Sequence, residues 1–322
     1  MKISVVICTF NGEKFIFDQL ESIINQTQKV DEIIICDDCS RDNTHNVIYQ
    51  FQKKYPDLIR FYINETNIGV NKNFEKAISL SSGDYIFLCD QDDVWKKQKT
   101  EKIIAVFDKN PMLEGVFSNG DLINDVGEKI EGNSLWDTIL FLENYLKEPI
   151  DLYYYISNIR NMVTGATLCI KKEAIATIFP FPHESAMFHD EWIALLLASR
   201  KTISYCPEHL ISYRVHARQQ IGVMKFSSIK RNLQVIKYIL EQKTTEEYKC
   251  LLQIRKSFFR NYNKFNRLKN GYSGKLKIDL GSIIETNKKN IIKTEKIMKK
   301  SNFFLFYFNK SIDKLFKKRQ LT

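Results

Sequence analysis

The sequence predicts an α/β fold in which helices cover a doubly wound, Rossmann-like sheet. Three short runs rich in β-branched residues carry this prediction: residues 3–8 (ISVVIC), 32–36 (EIIIC) and 84–90 (DYIFLCD). Nearly continuous apolar runs of this length are typical of strands that are buried on both faces. Segments with helical spacing separate these runs, and a chain that alternates strand and helix in this way builds a doubly wound sheet.

Each buried strand of the first half leads into a segment with helical spacing. Between the first two strands, Phe15, Leu20 and Ile23 fall on one helical face, which predicts a helix over residues 13–26. The same reasoning predicts the remaining elements in chain order. They are a helix over 43–54, a strand over 59–64, a loop and helix over 67–81, a strand and turn over 116–125, helical segments over 135–146 and 151–159, a strand entering a helix over 162–175, and a helix over 188–199.

Charge is divided unevenly along the chain. From residue 225 onward there are 25 Lys and Arg against 7 Asp and Glu, a net charge of +18. The totals of 48 basic and 38 acidic residues leave 23 and 31 for the earlier part, a net charge of −8. This split predicts a domain over residues 1–222 and a basic, mostly helical extension over residues 223–322, which has an anionic partner of its own.

The seven Cys residues favour a reducing compartment, because their number is odd and several lie inside apolar runs. Cys36 and Cys39 have the spacing of a redox pair, but Cys36 ends a buried strand, which favours a structural role. The first apolar run is short and lacks a small-residue cleavage site, so we interpret it as a strand and not a signal peptide. No run of 18 apolar residues occurs, so no spanning helix is expected. A cytoplasmic protein is predicted.

Several common catalytic motifs are missing from the sequence. There is no glycine-rich dinucleotide motif, no phosphate loop and no G-x-S-x-G elbow. The run HESAMFH carries Met187 where a zinc protease motif requires its second His. These absences argue against Rossmann-type dehydrogenases, P-loop nucleotidases, serine hydrolases and zinc proteases.

Polar side chains follow three of the predicted strands at the points where the strands end. They are Thr9 and Asn11 after the first strand, Asp37 and Asp38 after the second, and Asp90 and Asp92 after the fourth. Ligands of open α/β sheets bind beyond the carboxyl ends of the strands. The sequence therefore predicts a binding site at this rim of the sheet.

The run DQDD at residues 90–93 predicts a metal site. Asp90 and Asp92 are separated by one residue, so on an extended segment their side chains point the same way. Two carboxylates held together repel each other unless a cation lies between them. Mg²⁺ or Mn²⁺ would relieve this repulsion. Both ions prefer oxygen ligands and often include diphosphate oxygens in their coordination shell.

Five runs in this order resemble the family 2 glycosyltransferases of the GT-A fold, which has a mixed, doubly wound sheet. The resemblance covers about residues 1–222, and the pairing of DQDDVW with HDEW and YRVHARQQIG is similar to a bacterial rhamnosyltransferase-like subgroup. The five runs are SVVICTFNGEKFIFDQLESIINQT, EIIICDDCSRDNT, NIGVNKNFEKAI, GDYIFLCDQDDVW and HDEW.

The resemblance implies a nucleotide pocket at the first two strands. Thr9 and Asn11 match residues that line this pocket. Asp38 matches the residue that hydrogen-bonds the nucleotide base, and Asp37 matches a residue that supports the loop. The run NIGVNKNF matches a loop that contacts the diphosphate, with Asn73 and Lys72 as its candidates.

The resemblance also implies the metal ligands and the catalytic base. Asp90 and Asp92 match the Asp-x-Asp motif, with Asp92 as the direct ligand of Mg²⁺ or Mn²⁺. His216 is a third candidate for the metal or the diphosphate, and a purely structural role is its alternative. Asp190 in HDEW matches the base that takes the acceptor proton, and the neighbouring Glu191 is the alternative base.

The function implied is an inverting, metal-dependent transfer of a sugar, such as rhamnose or a hexose, from a nucleoside-diphosphate donor. The acceptor is a glycan, expected on a lipid carrier, in surface polysaccharide biosynthesis. The alternative from another class is a non-catalytic nucleotide-binding scaffold of a glycan assembly complex.

The basic extension ends in SNFFLFYFNKSIDKLFKKRQL, which mixes aromatic and cationic residues. This mixture suits a helix that lies on the inner, anionic face of the cell membrane. A helix that packs on the enzyme, or on a second copy in a homo-oligomer, is the alternative. No module that reads nucleic acid accompanies the basic tract, so a nucleic-acid partner is not expected.

Overall fold

The structure, a computed structural model, groups the chain into two compact units. The first comprises Met1–Ile139 and Val163–Val223, and the second comprises Leu140–Met162 and Met224–Thr322. The predicted division between residues 222 and 223 stays a prediction, and the second unit also contains an internal segment that the charge pattern did not separate. The residues described are 1–141, 150–183, 185–216, 235–237, 239–240, 247–272, 274–315, 318–319 and 321.

The first unit is built on a mixed sheet, and the predicted α/β fold is confirmed. Within the described residues the sheet has nine strands in the order β3-β2-β1-β4-β8-β6-β9-β5, with β7 paired to β6. The first four strands are parallel, as the continuous apolar runs predict. The strands are β1 Ile3–Thr9, β2 Glu32–Asp37, β3 Ile59–Ile63, β4 Tyr85–Cys89, β5 Val94–Trp95, β6 Gly115–Ile123, β7 Lys129–Ser134, β8 Leu168–Lys171 and β9 Ile203–Arg214.

The pairing changes from parallel to antiparallel at β4. This strand pairs in parallel with β1 on one side and antiparallel with β8 on the other. β6 and β9 pair in parallel over a long register, from Gly115↔Ile203 to Ile123↔Arg214, with irregularities near Asn119. β5 pairs antiparallel with the end of β9, and this contact draws the segment after β4 across the rim of the sheet.

Most helices of the first unit match the predicted segments with shifted ends, whereas α4 (Lys99–Lys109) lies where no element was predicted. The segment predicted helical over 135–146 forms a helix as far as Ile139, and residues 142–149 lie outside the described residues. A 3₁₀ turn at Gly165–Thr167 precedes β8 where the sequence predicts strand. The helices are α1 Ile16–Ile24, α2 Thr44–Lys54, α3 Val70–Leu80, α4 Lys99–Lys109, α5 Leu135–Ile139, α7 Ile175–Ile178 and α8 His189–Ser199.

Apolar side chains from both faces of the sheet form the core. Val5 and Ile7 of β1 pack in one cluster with Ile33 and Ile35 of β2, and Val6 on the opposite face is also fully buried. β1 pairs in parallel with β2 up to Thr9↔Asp37 and with β4 up to Ile7↔Cys89. The core and this pairing bring the ends of the three strands together at one edge of the sheet.

The second unit is helical. It contains the short helix α6 (Leu152–Asn158) and three longer helices, α9 (Tyr248–Gly271), α10 (Leu280–Ser301) and α11 (Phe303–Leu315). The Asn287 side chain of α10 donates to the Ser157 carbonyl at 3.1 Å, which joins α10 to α6. In the part of the chain that the structure describes, no helix is both long and apolar enough to cross a membrane.

Gly83, just before β4, is a test of the packing that positions the rim. A Cβ at this position would lie 2.4 Å from Ser4 Oγ and 2.7 Å from the Ser4 backbone nitrogen, and backbone atoms of β1 cannot easily move away. We expect Gly83→Ala to lower the free energy of unfolding by about 1–3 kcal/mol. Urea unfolding followed by circular dichroism measures this change.

Gly271→Ala is the matched control. Gly271 ends α9, and a Cβ there would have no neighbour within 4 Å. We expect its stability to be unchanged or to rise by up to about 1 kcal/mol, since alanine restricts the unfolded chain. Equal stability of the two variants would contradict the packing described at Gly83.

Candidate active site

The turn after β4 presents three aspartates: Asp90 and Asp92, which the sequence placed at the rim, and Asp93. Asp92 is half-buried, and its Oδ2 lies 2.9 Å from Nε2 of His216. Asp93 is buried, and its Oδ1 accepts from the Arg214 backbone N–H at 2.9 Å. The Oδ2 atom of Asp93 is buried and has no hydrogen-bond partner among the described residues. His216, the third candidate for the metal or the diphosphate, is therefore in direct contact with the turn.

Asp90, the first acid of the turn, has a strongly shifted pKa. Burial, followed by the charges of Asp92 and Asp190, raises the pKa of Asp90 to about 7, and Lys99 opposes these effects. A carboxyl group whose neighbours are also acidic retains its proton to higher pH, because a second negative charge is repelled. A cation placed beside Asp90 would therefore stabilise its charged form.

Lys99, which we did not single out from the sequence, lies fully buried beneath this turn. Its Nζ donates to the Ala166 carbonyl at 2.6 Å and lies 3.9 Å from the centre of the Trp95 ring. Burial lowers the pKa of Lys99 to about 8, while Cys89 and the acids Asp93 and Asp90 favour its charged form. A signal was available, since Lys99 falls four residues before Ile103 on the apolar face of α4.

Arg214 at the end of β9 braces the turn from the other side. It is buried, and its Nε donates to the Asp92 carbonyl at 2.7 Å while its backbone N–H bonds Asp93. The guanidinium group lies 4.6 Å from the Phe15 ring. Arg214 therefore fixes the backbone of the acidic turn and leaves the Asp92 carboxylate to His216.

Asp190 lies in the first turn of α8, as the sequence indicates. It is buried, and its Oδ1 accepts from the Glu191 backbone N–H at 2.6 Å. Burial, together with the charge of Glu191, raises the pKa of Asp190 to about 7. Hydrogen bonds from the backbone of Glu191 and Gly165 oppose this rise. The alternative base, Glu191, is half-buried.

The loop before α8 is held by a side chain of α3. The buried Asn71 donates to the carbonyls of Pro182 and Met187 at 2.7 and 2.8 Å, and its Oδ1 accepts from the His189 backbone N–H at 2.8 Å. His189 itself is stacked on Phe74 with ring centres 4.0 Å apart. These contacts fix the beginning of α8 and with it the position of Asp190.

Tyr213 shows that these acids, which come from two distant segments, converge. Burial raises the pKa of the Tyr213 hydroxyl well above its ordinary value, and four negative charges raise it further. The effect of one charge on the pKa of another group grows as the distance between them falls. The four charges belong to Asp93, Asp90, Asp92 and Asp190.

The predicted nucleotide side of the rim is rigid. The Asp37 carboxylate accepts from Thr9 Oγ1 at 2.7 Å and from Ser40 N and Oγ at 2.8 and 2.5 Å, and it contacts His45 Nε2 at 2.7 Å. Although burial raises the pKa of Asp37, these hydrogen bonds outweigh burial and hold the pKa below its ordinary value. Asp37 and Thr9 thus stabilise the loop that follows β2.

Asp38 holds the loop that enters α3. Its carboxylate accepts from the backbone N–H groups of Ile68 and Gly69 at 2.8 and 2.9 Å and from Asn64 Nδ2 at 2.9 Å. Asn73 is buried in the same network: its Nδ2 donates to the Cys36 carbonyl at 2.8 Å, and its Oδ1 accepts from Asn64 at 2.9 Å. Both ends of the Asn73 amide therefore bond atoms of the fold.

Asn11 and Lys72 are exposed at this rim. Asn11 adopts a left-handed backbone with φ of 51°, and its Oδ1 accepts from the Arg41 N–H at 2.9 Å. The Nζ of Lys72 lies 3.3 Å from Glu75 Oε1 on the surface of α3. Of the two candidates for diphosphate contact, Lys72 is the exposed one and Asn73 is the buried one.

The Cys8 thiol connects the two halves of the rim. Burial raises the pKa of Cys8 well above its ordinary value, and the charges of both Asp90 and Asp38 contribute. The acidic turn after β4 and the carboxylate after β2 therefore lie within electrostatic reach of one side chain. This is the arrangement expected where three neighbouring strands end together.

The donor set at the acidic turn fits a hard divalent cation. The carboxylates of Asp90 and Asp92 are ligands that suit Mg²⁺ or Mn²⁺, and the His216 imidazole lies beside Asp92. Among the described residues, no group of three or more His, Cys, Asp or Glu is already arranged to hold a metal ion.

Comparison with known proteins identifies the matching family. The family model described as Glycosyl transferase family 2 matches residues 4–167. An uncharacterised glycosyltransferase of Nostoc sp. is 29% identical over 217 residues, which cover 67% of this chain and 65% of the relative. The match spans slightly less than two thirds of the length of that relative.

Two further relatives have more specific names. A dTDP-rhamnosyl transferase of Shigella flexneri is 42% identical over 100 residues, covering 30% of this chain and 35% of the relative. A glucosyltransferase of Escherichia coli, named for UDP-Glc and α-D-GlcNAc-diphosphoundecaprenol, is 23% identical over 249 residues, covering 77% of this chain and 90% of the relative.

Solved structures support the fold. Staphylococcus aureus TarS in complex with UDP-GlcNAc has a TM-score of 0.53 at 18% identity, covering 92% of this chain and 83% of that one. A mannosyltransferase of Pyrobaculum calidifontis, in complex with GDP-Man and Mn²⁺, has a TM-score of 0.52 at 15% identity, covering 98% and 88%. The predicted GT-A fold is confirmed.

The raised pKa of Asp190 predicts a pH-dependent stability. In the unfolded chain Asp190 ionises near its ordinary pKa of about 3.9, whereas in the folded protein it keeps its proton up to about pH 7. Folding is therefore favoured below the lower value, and this contribution is lost as pH rises through about 7. Relative to wild type, Asp190→Asn should gain stability between pH 5 and pH 8, by on the order of 1 kcal/mol or more.

Chemical denaturation at both pH values measures this difference. Glu173→Gln, at an exposed carboxylate, is the control, and its stability difference from wild type should stay constant. A stability difference for Asp190→Asn that does not change with pH would contradict a buried, protonated Asp190.

Proposed function

Because the chain belongs to glycosyl transferase family 2, we propose that it is an inverting, metal-dependent glycosyltransferase that moves a sugar from a nucleoside diphosphate to a glycan acceptor. The observation that carries the proposal is that Asp190 of α8 lies within electrostatic reach of the acidic turn after β4: its charge acts on Asp90, and the charges of both segments act on the Tyr213 hydroxyl. An acid on each side of a bound sugar is the minimum that such a displacement requires.

The acidic turn is proposed to bind the donor diphosphate. Asp92, with Asp90 and His216, would hold Mg²⁺ or Mn²⁺ there, and such an ion neutralises the charge that develops on the leaving diphosphate. Repulsion from Asp92 is one reason why Asp90 retains its proton to about pH 7. A cation at the turn would lower this pKa and leave both carboxylates charged.

Asp190 is proposed to take the proton of the attacking acceptor hydroxyl. A general base works best when its pKa lies near the working pH, and that of Asp190 is raised to about 7. The first turn of α8 is held by Asn71 from a different helix, so the position of this base does not depend on the acidic turn. Attack from the face opposite the diphosphate inverts the anomeric centre.

The nucleotide is proposed to lie over the ends of β1 and β2. Asp38 would hydrogen-bond the base, with Thr9, Asn11 and Asp37 shaping the pocket. The hydrogen bonds of Asp37 support its role as a fixed part of this pocket. Because the Asn73 amide bonds only atoms of the fold in the contacts described, we assign the diphosphate contact of this loop to Lys72.

The finer chemistry is proposed from the relatives. A dTDP-rhamnosyl transferase and a glucosyltransferase named for a diphosphoundecaprenol-linked sugar support a rhamnose or hexose donor and a lipid-linked glycan acceptor. The setting would be surface polysaccharide biosynthesis. All seven Cys are free thiols, which supports the cytoplasmic face of the membrane as the place of reaction.

Replacement of Asp92 and replacement of Asp190 should impair different steps of the reaction. Asp92→Asn should weaken metal-dependent nucleotide binding and lower kcat/KM about 100-fold or more, because the ion loses its ligand. Asp190→Asn should keep nucleotide binding and lower kcat by about 10²–10⁴, because only proton transfer is lost. Steady-state kinetics and calorimetric binding of the nucleoside diphosphate with Mn²⁺ separate the two effects.

Asp57→Asn, at an exposed carboxylate on the surface of the first unit, is the matched control and should behave like wild type. Full activity of Asp92→Asn would exclude the metal proposal. Full turnover of Asp190→Asn would assign the base to another residue, with Glu191→Gln as the next variant to measure.

A thermal-shift screen of nucleoside diphosphates and sugar nucleotides, with and without Mn²⁺, tests the donor class. We expect one nucleotide family to raise Tm, and to do so more strongly with Mn²⁺. Release of sugar from the stabilising donor distinguishes an enzyme from the scaffold alternative. Stabilisation without any release or transfer, across the donor panel and with added glycan acceptors, would favour the scaffold.

A further inference from the structure

We propose that the outward face of helix α11 (Phe303–Leu315) docks on an anionic lipid bilayer. The sequence left open whether the basic extension meets a membrane or a protein, and it did not indicate which residues make the contact. The rotation of α11 about its own axis identifies them. This proposal concerns a surface of the second unit and does not depend on the proposed transfer reaction.

The polarity of α11 is the reverse of that expected for a helix of a water-soluble domain. Its most apolar side chains face outward: Phe304 is 84% exposed, Leu315 76% and Phe308 63%. Its inward face buries the carboxylate of Asp313 together with Phe306. At 100° per residue, the three exposed residues fall within about 40° of one another around the helix, so they form one continuous stripe.

An ion-pair network fixes this rotation. The buried Arg255 of α9 donates through Nη1 to Asp313 Oδ2 at 2.6 Å and through Nε to Glu295 Oε1 of α10 at 2.7 Å. Arg319 donates to Asp313 Oδ1 at 2.8 Å. Turning the aromatic stripe inward would pull the Asp313 carboxylate away from two cations, Arg255 and Arg319, and would leave the buried Nη1 of Arg255 without this acceptor. The outward stripe is therefore a determined feature of the helix.

Cations border the stripe. Lys299 and Lys300 at the end of α10 and Lys314 of α11 are exposed, and Lys299 Nζ lies 5.8 Å from the Phe303 ring and 5.5 Å from the Tyr307 ring. Aromatic residues that insert at the acyl boundary, with Lys beside them at the level of the headgroups, are typical of helices that lie in a bilayer interface. Each Lys near an anionic surface adds about 1 kcal/mol of attraction.

Charge complementarity favours a bilayer over a second copy of the chain. Two copies that met through this stripe would bring together regions that each carry a net charge of +18, and like charges across an interface oppose association. An anionic leaflet matches both the apolar stripe and the cations around it. We therefore assign the stripe to lipid.

The test is flotation of the full-length protein with vesicles that contain about 30% phosphatidylglycerol, an anionic lipid. Wild type should float with these vesicles, and binding should fall at least about tenfold with neutral phosphatidylcholine vesicles or in about 0.5 M salt. The triple variant Phe304→Ser, Phe308→Ser and Leu315→Ser should lose binding about tenfold or more. Far-ultraviolet circular dichroism checks that the variant is folded.

A matched control replaces exposed apolar residues of the first unit. Met112→Ser with Val126→Ser, at positions 78% and 71% exposed, should bind vesicles like wild type. Wild-type protein that stays in solution with anionic vesicles would overturn the proposal, and so would a folded triple variant that still floats. A wild-type dimer that dissociates in the triple variant, with no flotation of either, would assign the stripe to a second copy instead. Retained donor turnover in the triple variant would separate this result from the enzymatic proposal.

Discussion

Repulsion among neighbouring carboxylates is the constraint on which the active-site rim depends. The charges of Asp90, Asp92, Asp93 and Asp190 all act on the Tyr213 hydroxyl, and two of these residues, Asp93 and Asp190, are buried. Negative charges gathered in this way oppose folding unless cations or protons compensate them. The fold supplies Lys99 beneath the turn and Arg214 beside it, and Asp90 and Asp190 retain protons to about pH 7. The carboxylates of the rim can therefore stabilise a further positive charge, such as a bound metal ion.

The opposite side of the rim follows a different principle. Asp37 and Asp38 are also buried acids, but backbone and side-chain donors surround both of them. Their hydrogen bonds stabilise two loops, and the lowered pKa of Asp37 shows that hydrogen bonds alone favour the charged form of that carboxylate. Aspartates thus support loops after β2, whereas those after β4 keep carboxylate oxygens that can bind a ligand. The number of hydrogen-bond donors around each carboxylate decides between the two roles.

Much of the first unit could be predicted because its signals are local. The runs at β1, β2 and β4 are apolar on both faces, and the polar residues directly after them mark the rim. The role of Lys99 was not predicted: its place on the apolar face of α4 indicates burial, but its position beneath the acidic turn depends on how the helix packs on the sheet. The burial of Asn73 depends on its distant partners Cys36 and Asn64. The outward aromatic stripe of α11 depends on Arg255, which lies 58 residues from Asp313. Such pairings are set by tertiary structure and leave no periodic trace in the sequence.

The double pairing of β4 has an evolutionary consequence. The parallel strands β1, β2 and β3 lie on one side of β4, and the mixed part of the sheet is joined to it through the antiparallel contact of β4 with β8. Substitutions in the loops of one half need not disturb the strand pairing of the other half. A chain built on this scaffold can therefore diversify one half at a time around the acidic turn, which follows the strand that joins the two halves.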